Sequence, residues 1–282
     1  LTVYLLFCTL GSLIASGCAY KSAVAAGDNQ IEEAQKYYKY ALTYGVALSV
    51  SVCLLGILCI HPVTRILSSE LTYEYVRKYL MITILGGEFK VLLYIPFFYL
   101  RLEGKNVQSA ITMTFMMVLN IILDVVLLFV CDFGITGAAA ASVLATAVAC
   151  ILGFLFLHSG NSNFHPAFGF AGKEEIFDTF RYGIPMAFNN LLSAARLLLL
   201  NLIFNRFAVS EAPVIFAILN SMNEFLLCVQ NGVPQTATAM TGIFFGEKDN
   251  KNLKNIVQIQ MKTGLALTSF IAALIVLCYQ QI

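Results

Sequence analysis

The chain has 282 residues, 59% of them hydrophobic and only 12% charged, with a mean hydropathy of +0.80. Soluble domains carry about a quarter charged residues, so this composition excludes a water-soluble core and calls for an apolar solvent, the bilayer. The net charge of +1 gives no reason to expect nucleic acid or an acidic partner.

Eight apolar segments run along the chain, at about 1–20, 40–60, 79–100, 108–131, 135–157, 183–204, 213–245 and 263–282. A helix of about 20 residues, rising about 1.5 Å per residue, crosses the roughly 30 Å hydrocarbon layer. All eight are expected to be transmembrane helices. A membrane barrel needs alternating strands of about ten residues, a pattern this sequence lacks. The fold class is therefore all-α, a polytopic transmembrane helical bundle. The first segment starts at Leu1 without a basic region before it, and the last is still apolar at Ile282, so the chain reads as a portion of a longer protein and not as one opening on a signal peptide.

The segment at 79–100 contains LGGEFKVLLYIP, in which Glu88 and Lys90 lie two residues apart and so point to different faces of a helix. Each is expected to snorkel or to pair with another helix, with a place on a cavity lining as the other reading. The segment at 108–131 holds NIILD. An ionised carboxylate at mid-membrane costs about 2.5–3.5 kcal/mol, and burial raises a carboxyl pKa towards neutrality. Asp124 is therefore expected to take and release a proton or to hold a sodium ion. Asn120, four residues earlier on the same helix face, is placed to help. The alternative is a neutral carboxyl that merely ties two helices together. The next segment opens with GAAAASVLATAVAC, residues 137–150, whose small side chains let helices approach closely. That approach is expected to set Ser142 near the helix of Asp124.

Beyond His158 and His165 the chain turns polar, then re-enters the apolar phase at RYGIP, residues 181–185. Arg196 falls inside the following segment and needs an acid or a wet path. In ILNSMNEFLLCVQNGVPQ, residues 218–235, Asn220, Asn223 and Glu224 share one helix face, and Gln230 and Asn231 follow. Gly232 and Pro234 weaken the helix there. Broken helices at membrane depth persist only against protein or a wet cavity. These residues are expected to line a substrate cavity, with Glu224 against a cationic substrate; a polar helix–helix seam is the other reading.

Lys and Arg side chains set the orientation. The loops near 21–39, 101–105, 173–181 and 248–262 carry eleven of the seventeen, the alternate loops four, and Lys90 and Arg196 lie within spans. The first set is expected to face the cytoplasm. Residues 25–60 and 244–279 align at a shift of 219, pairing Gly27 with Gly246, Gly45 with Gly264 and Cys59 with Cys278. This suggests a duplication, and a complete protein of twelve helices in two parallel repeats. The eight cysteines are scattered without a CxxC pair, and the three histidines show no ligand spacing. No metal site, disulfide framework or enzyme motif is indicated. An enzyme would need clustered polar catalysts near the interface, and a receptor needs no duplication.

The run RLEGKNVQSAITMTFMMVLNIILDVVLLFVCDFGITGAAAAS, residues 101–142, resembles the multidrug and toxic compound extrusion (MATE) transporters, and the AAGD, FFGEKDN and RYGIP segments fit the same family. The resemblance implies helices two to nine of twelve. Residues 1–158 are then the N-lobe with helices two to six, 159–182 a cytoplasmic linker, and 183–282 the start of the C-lobe with helices seven to nine. It implies a monomeric multi-pass protein of the cytoplasmic membrane, without a cofactor, that exports organic cations or drugs in exchange for protons or sodium ions. Asp124 and Asn120 fall on the family's fifth-helix cation positions, and Ser142 on a sixth-helix position usually held by threonine. The family's other N-lobe carboxylate belongs to a first helix that this chain lacks, and GIPMAFNNLLSAARL has no acid where another branch carries one. A flippase for lipid-linked saccharides shares the helical plan and is the alternative, with a more basic cavity expected of it.

Overall fold

Helices account for nearly all of the structure, and no strand occurs among the described residues, as the absence of any alternating pattern requires. A computed structural model describes residues 2–68, 70, 72–160, 162–207, 232 and 237–278. The helices are α1 (Thr2–Gly27), α2 (Ile31–Leu58), α3 (Ile60–Leu67), α4 (Tyr73–Leu85), α5 (Gly87–Leu102), α6 (Asn106–Val125), α7 (Gly134–His158), α8 (Lys173–Phe207), α9 (Ala237–Gly246) and α10 (Asn250–Cys278). Five of them are long and apolar enough to cross a membrane, and α4 with α5 makes a sixth span.

Several expected boundaries move. The span at 79–100 is two helices bent by 40° at Gly86. A Cβ at Gly86 would lie 2.2 Å from Val143 of α7, and one at Gly87 2.3 Å from the ring of Phe7, so bare backbone lets both neighbours close on the bend. The helices α2, α8 and α10 start well before their apolar segments, because their first turns are charged and solvated yet good helix formers. The Asp249 carboxylate caps α10 by accepting the backbone N–H groups of Lys251 and Asn252. The Glu175 carboxylate reaches back to the N–H of Gly172 and closes the start of α8. The irregular part of the 159–182 segment therefore ends at Gly172. The α8 segment is long enough to span but more polar than its neighbours, and the 213–245 span falls mostly outside the described residues. The short helix α3 was not expected. Its Ile60 and Thr64 are buried while Ile66 is exposed.

Two compact units are formed, Leu1–Ser22 with Ile31–Ala194, and Ala23–Gln30 with Ala195–Ile282. In the first, α5 is the buried spine: Val91, Leu93, Ile95, Pro96 and Phe97 to Leu100 are all enclosed. Helix α7 packs on it through Ala145, Ala149 and Gly153 while its Leu144, Val148, Ile151 and Leu155 face outward. Leu93, Ala149 and Cys150 form one core cluster with Met113 and Met116 of α6. Hydroxyls inside the spans are satisfied locally: Thr9, Ser16, Thr64, Thr112 and Thr146 each donate to a carbonyl four residues back. Asn190 of α8 reaches Ser12 of α1 at 2.9 Å, beside the crossing where Gly17 meets the Thr179 carbonyl and Gly183 that of Leu13.

The polar end of this unit is tied by side chains. The Lys105 ammonium donates to the carbonyls of Leu157 and Ser159, both at 3.1 Å, which satisfies the C-terminal end of α7, and it pairs with Glu103 at 2.8 Å. The other Glu103 oxygen accepts from Ser162 and from the backbone N–H of Asn163. Phe164 inserts between Tyr38 and Tyr99, with ring centroids at 5.4 and 4.9 Å. Residues 165–175 then run along α2 through Gln35–His165, Thr43–Gly169, Tyr44–Ala171 and the Lys36–Glu175 ion pair. In the second unit, Gly27 lies against the carbonyl of Ile243 and Gly246 against that of Val24. This reciprocal contact follows the 219-residue offset, since 24 + 219 = 243 and 27 + 219 = 246.

Two outcomes follow from this strap. Phe164 is 4% exposed, so Phe164→Ala in the full-length protein is expected to cost about 3 kcal/mol, read as a lowered melting temperature. Phe168→Ala, at an exposed position, leaves melting unchanged. The hydrogen bond from Lys36, helped by Gly172 N–H and Tyr40, holds the Glu175 carboxyl below its ordinary range. A depressed folded-state pKa gives stability that is present above the unfolded value of about 4.3 and lost as pH falls through the folded one. Amide exchange protection over residues 166–172 is therefore expected to fall on acidification below about pH 4, and Glu175→Gln removes that step.

Candidate functional site

The bend between α4 and α5 leaves space among α1, α4, α5, α6 and α7, a cavity of about 300 Å³ within the first unit. Its apolar wall is Phe7, Met116, Met117, Val143 and Ala145. Its polar lining is Tyr4, Tyr79, Thr83, Lys90, Asn120, Ser142 and Thr146. At roughly 300 Å³ it sits at the small end of ligand pockets.

Asn120 and Ser142 meet here. The Asn120 Nδ2 donates to Ser142 Oγ at 3.3 Å, bridging α6 and α7. The approach depends on the small face of α7: Gly137, Ala139, Ala141, Ala145 and Ala149 are buried and leave no bulk between the helices. Thr146 then donates to the Ser142 carbonyl at 2.8 Å and approaches the sulfur of Met116 at 3.9 Å. Because Asn120 donates to the Ser142 oxygen, the Ser142 hydrogen is directed elsewhere, and no acceptor for it occurs among the described residues.

Asp124 is one turn beyond Asn120 and only partly buried. On α6 the packed stripe holds Ser109, Thr112, Met113, Met116 and Asn120, and the outward stripe Ile111, Val118, Ile122 and Val125. At 100° per residue Asp124 falls some 40° from Asn120, at the border of the two stripes. It does not line the cavity, and it makes no hydrogen bond or ion pair among the described residues. The α-helix gives way to a π-helical turn at Val126–Val130 directly after it, a widening often found at functional sites. The other expected cavity residues, Glu224, Asn220, Asn223 and Asn231, lie outside the described residues.

Lys90 finds its partner on another helix, Tyr4 of α1, and takes the alternative place on the cavity lining. It neither snorkels nor pairs with an acid: it is 9% exposed, with its ammonium 4.4 Å from the ring centroid of Tyr4. Glu88, two residues earlier, lies on another face of α5 and is not on the cavity lining. Lys90 is the one charged residue on the cavity lining among the described residues. Tyr4, Tyr79 and the Gly86–Gly87 pair were also missed as site residues. The signal present in the sequence was the GGEFK string, a helix break beside a basic residue at membrane depth.

These features define the class: an all-helical, multi-pass membrane protein with a ligand-sized cavity enclosed by helices of one unit. A family model described as MatE matches residues 1–126. A multidrug export protein MepA of Staphylococcus saprophyticus subsp. saprophyticus is 23% identical over 270 residues, covering 93% of this chain and 58% of that protein. MepA of Staphylococcus aureus is 25% identical over 240 residues, covering 83% of this chain and 53% of that protein. The chain thus spans between 53% and 58% of these relatives. A crystal structure of MATE in complex with MaL6 superposes with a TM-score of 0.86 at 20% identity, over 99% of this chain and 63% of that one. A transporter of the MOP superfamily from Pyrococcus furiosus, described by a binding pocket of reverse polarity, gives 0.81 at 20% identity over 95% of this chain and 61% of that one. Over its first 126 residues the chain matches the MatE family model, and over most of its length it is similar in sequence to these export proteins and in fold to MATE transporters.

The bend makes a direct prediction. Gly87→Ala forces the Phe7 ring to move, an overpacking expected to cost about 1–3 kcal/mol. Phe7→Leu in the same molecule is expected to recover most of that loss, read as a non-additive double-mutant cycle in thermal melting. Additive losses would show that the bend does not depend on this contact.

Proposed function

We propose that the protein of which this chain forms part exports organic cations or drugs across the cytoplasmic membrane in exchange for protons or sodium ions. In this reading it works as a monomer in the lipid bilayer and needs no cofactor. The observation that carries the reading is the Asn120–Ser142 bond at the cavity wall, one helical turn from a carboxylate at membrane depth. The names of the MepA relatives support export. The lobes are assigned as residues 1–158 and 183–282, joined by the segment strapped to α2.

The coupling step is a competition between states. With Asp124 ionised, the α6–α7 wall favours a cation; with the charge neutralised by a proton, that preference disappears and the helices repack. Lys90 weighs on the choice of ion. A sodium ion held by Asn120 and Ser142 would share one cavity with the Lys90 ammonium, and like charges in a low-dielectric space repel. A proton taken up by Asp124 adds no free cation there. The reading therefore favours protons over sodium, with Glu224 and its neighbouring asparagines left as C-lobe substrate contacts.

The flippase alternative has one observation in its favour, the basic and acid-free lining of the same cavity. The two readings part on cargo. In proteoliposomes of the full-length protein, a pH gradient is expected to drive ethidium movement. Asp124→Asn is expected to insert normally and slow that movement about a hundredfold, the scale of an interaction of 2–3 kcal/mol. Undiminished gradient-driven ethidium movement in Asp124→Asn contradicts the exporter reading. Movement of a fluorescent lipid-linked saccharide without ethidium transport establishes the alternative.

A further inference from the structure

We propose that the cavity between α1, α5, α6 and α7 is an oxyanion site, in which Lys90, Asn120 and Ser142 hold the phosphate or carboxylate head of an amphiphile. The inference rests on reading this cavity as ligand-bearing, and on neither the coupling ion nor the direction of transport.

The argument begins with the cost of the lysine. Removing an ammonium from water without a counter-ion costs several kcal/mol even after relaxation. Tyr4 faces the ammonium with its ring and its hydroxyl, which return part of this, about 0.5–2 kcal/mol for the ring and about 1.5–3 kcal/mol for a hydrogen bond to a charged group, and no carboxylate approaches Lys90 within ion-pairing distance among the described residues. The groups facing it on α1 are Tyr4 and Cys8, and neither is a carboxylate. A side chain 9% exposed and aimed into a cavity therefore has one charge more than its surroundings balance.

The neighbouring polar groups are donors suited to that missing charge. Asn120 uses one amide hydrogen on Ser142 and has a second. The Ser142 hydrogen has no acceptor among the described residues. With Lys90 these put three residues with N–H or O–H donors on the lining of one cavity, the donor set that binds an oxyanion by charge-assisted hydrogen bonds. The rest of the wall, Phe7, Met116 and Met117, has no polar group to offer and suits an alkyl or aryl body. An organic cation would meet the Lys90 charge at close range; an anionic amphiphile satisfies both halves of the cavity.

The test is a binding measurement on the purified full-length protein with no gradient imposed. Octyl phosphate is expected to bind, and octyltrimethylammonium not to compete for its place. Lys90→Met is expected to weaken octyl phosphate about tenfold or more, while Lys90→Arg keeps it within about threefold. If Lys90→Met does not fold, Ser142→Ala is expected to weaken octyl phosphate about threefold without touching the lysine. Phosphatidic acid in nanodiscs separates the sources. Its displacement of octyl phosphate assigns the site to a lipid headgroup, and its failure to displace assigns it to a soluble amphiphile; either supports the site. Equal octyl phosphate affinity in the parent, Lys90→Met and Ser142→Ala proteins overturns the inference, as does displacement by octyltrimethylammonium. Because no gradient is used, such a failure leaves the role of Asp124 standing, and loss of coupling in Asp124→Asn leaves this result standing.

Discussion

A polar side chain inside hydrocarbon must be met by protein or by a wet space, and that constraint organises this structure. Most of the chain meets it with little rearrangement: hydroxyls fold back on their own helices, and Asn190 finds Ser12 across the α1–α8 crossing. The exceptions gather in one place. Lys90, Asn120 and Ser142 converge on the space left by the α4–α5 bend. The bend itself exists because Gly86 and Gly87 carry no side chain where Val143 and Phe7 come in. Local chain chemistry, helix geometry and the site are thus one argument.

The same device recurs wherever helices cross closely. Gly17 and Gly183 each meet the other helix's backbone carbonyl, and Gly27 and Gly246 do so again in the second unit. A carbonyl approached this closely has room for a hydrogen on Cα and for nothing larger. In a bilayer, where lipid tails are as apolar as leucine, such close approach is a main source of helix association. The 219-residue offset of the Gly27–Gly246 contact ties this packing to the repeat in the sequence.

Apolar run length made the helical, membrane-embedded fold legible, because about 20 residues are needed to cross hydrocarbon whatever the packing. It did not show where helices end. The charged turns at Ile31, Lys173 and Asn250 belong to the helices yet lie outside the apolar runs. The 79–100 segment looked continuous because a 40° bend costs nothing in hydropathy. Within the site, the meeting of Asn120 and Ser142 was readable from NIILD and the small-residue helix after it. The enclosure of Lys90 was not, since snorkelling is the ordinary fate of a lysine and only tertiary packing shows that Tyr4 stands against its ammonium. Asp124 was singled out for its charge, but its border position follows from which side of α6 is packed, something no single helix discloses.

The claim on which the account turns is that the α6–α7 wall at Ser142 faces a water-accessible cavity and not lipid. Thiol labelling tests it most directly, because a charged methanethiosulfonate reacts only with a thiol that water reaches. In the full-length protein with its native cysteines replaced by alanine, a thiol placed at Ser142 is compared with one placed at Leu144, which faces outward on the same helix. The account predicts labelling at 142 roughly tenfold faster than at 144. Labelling at 144 alone, with 142 inert, would contradict it.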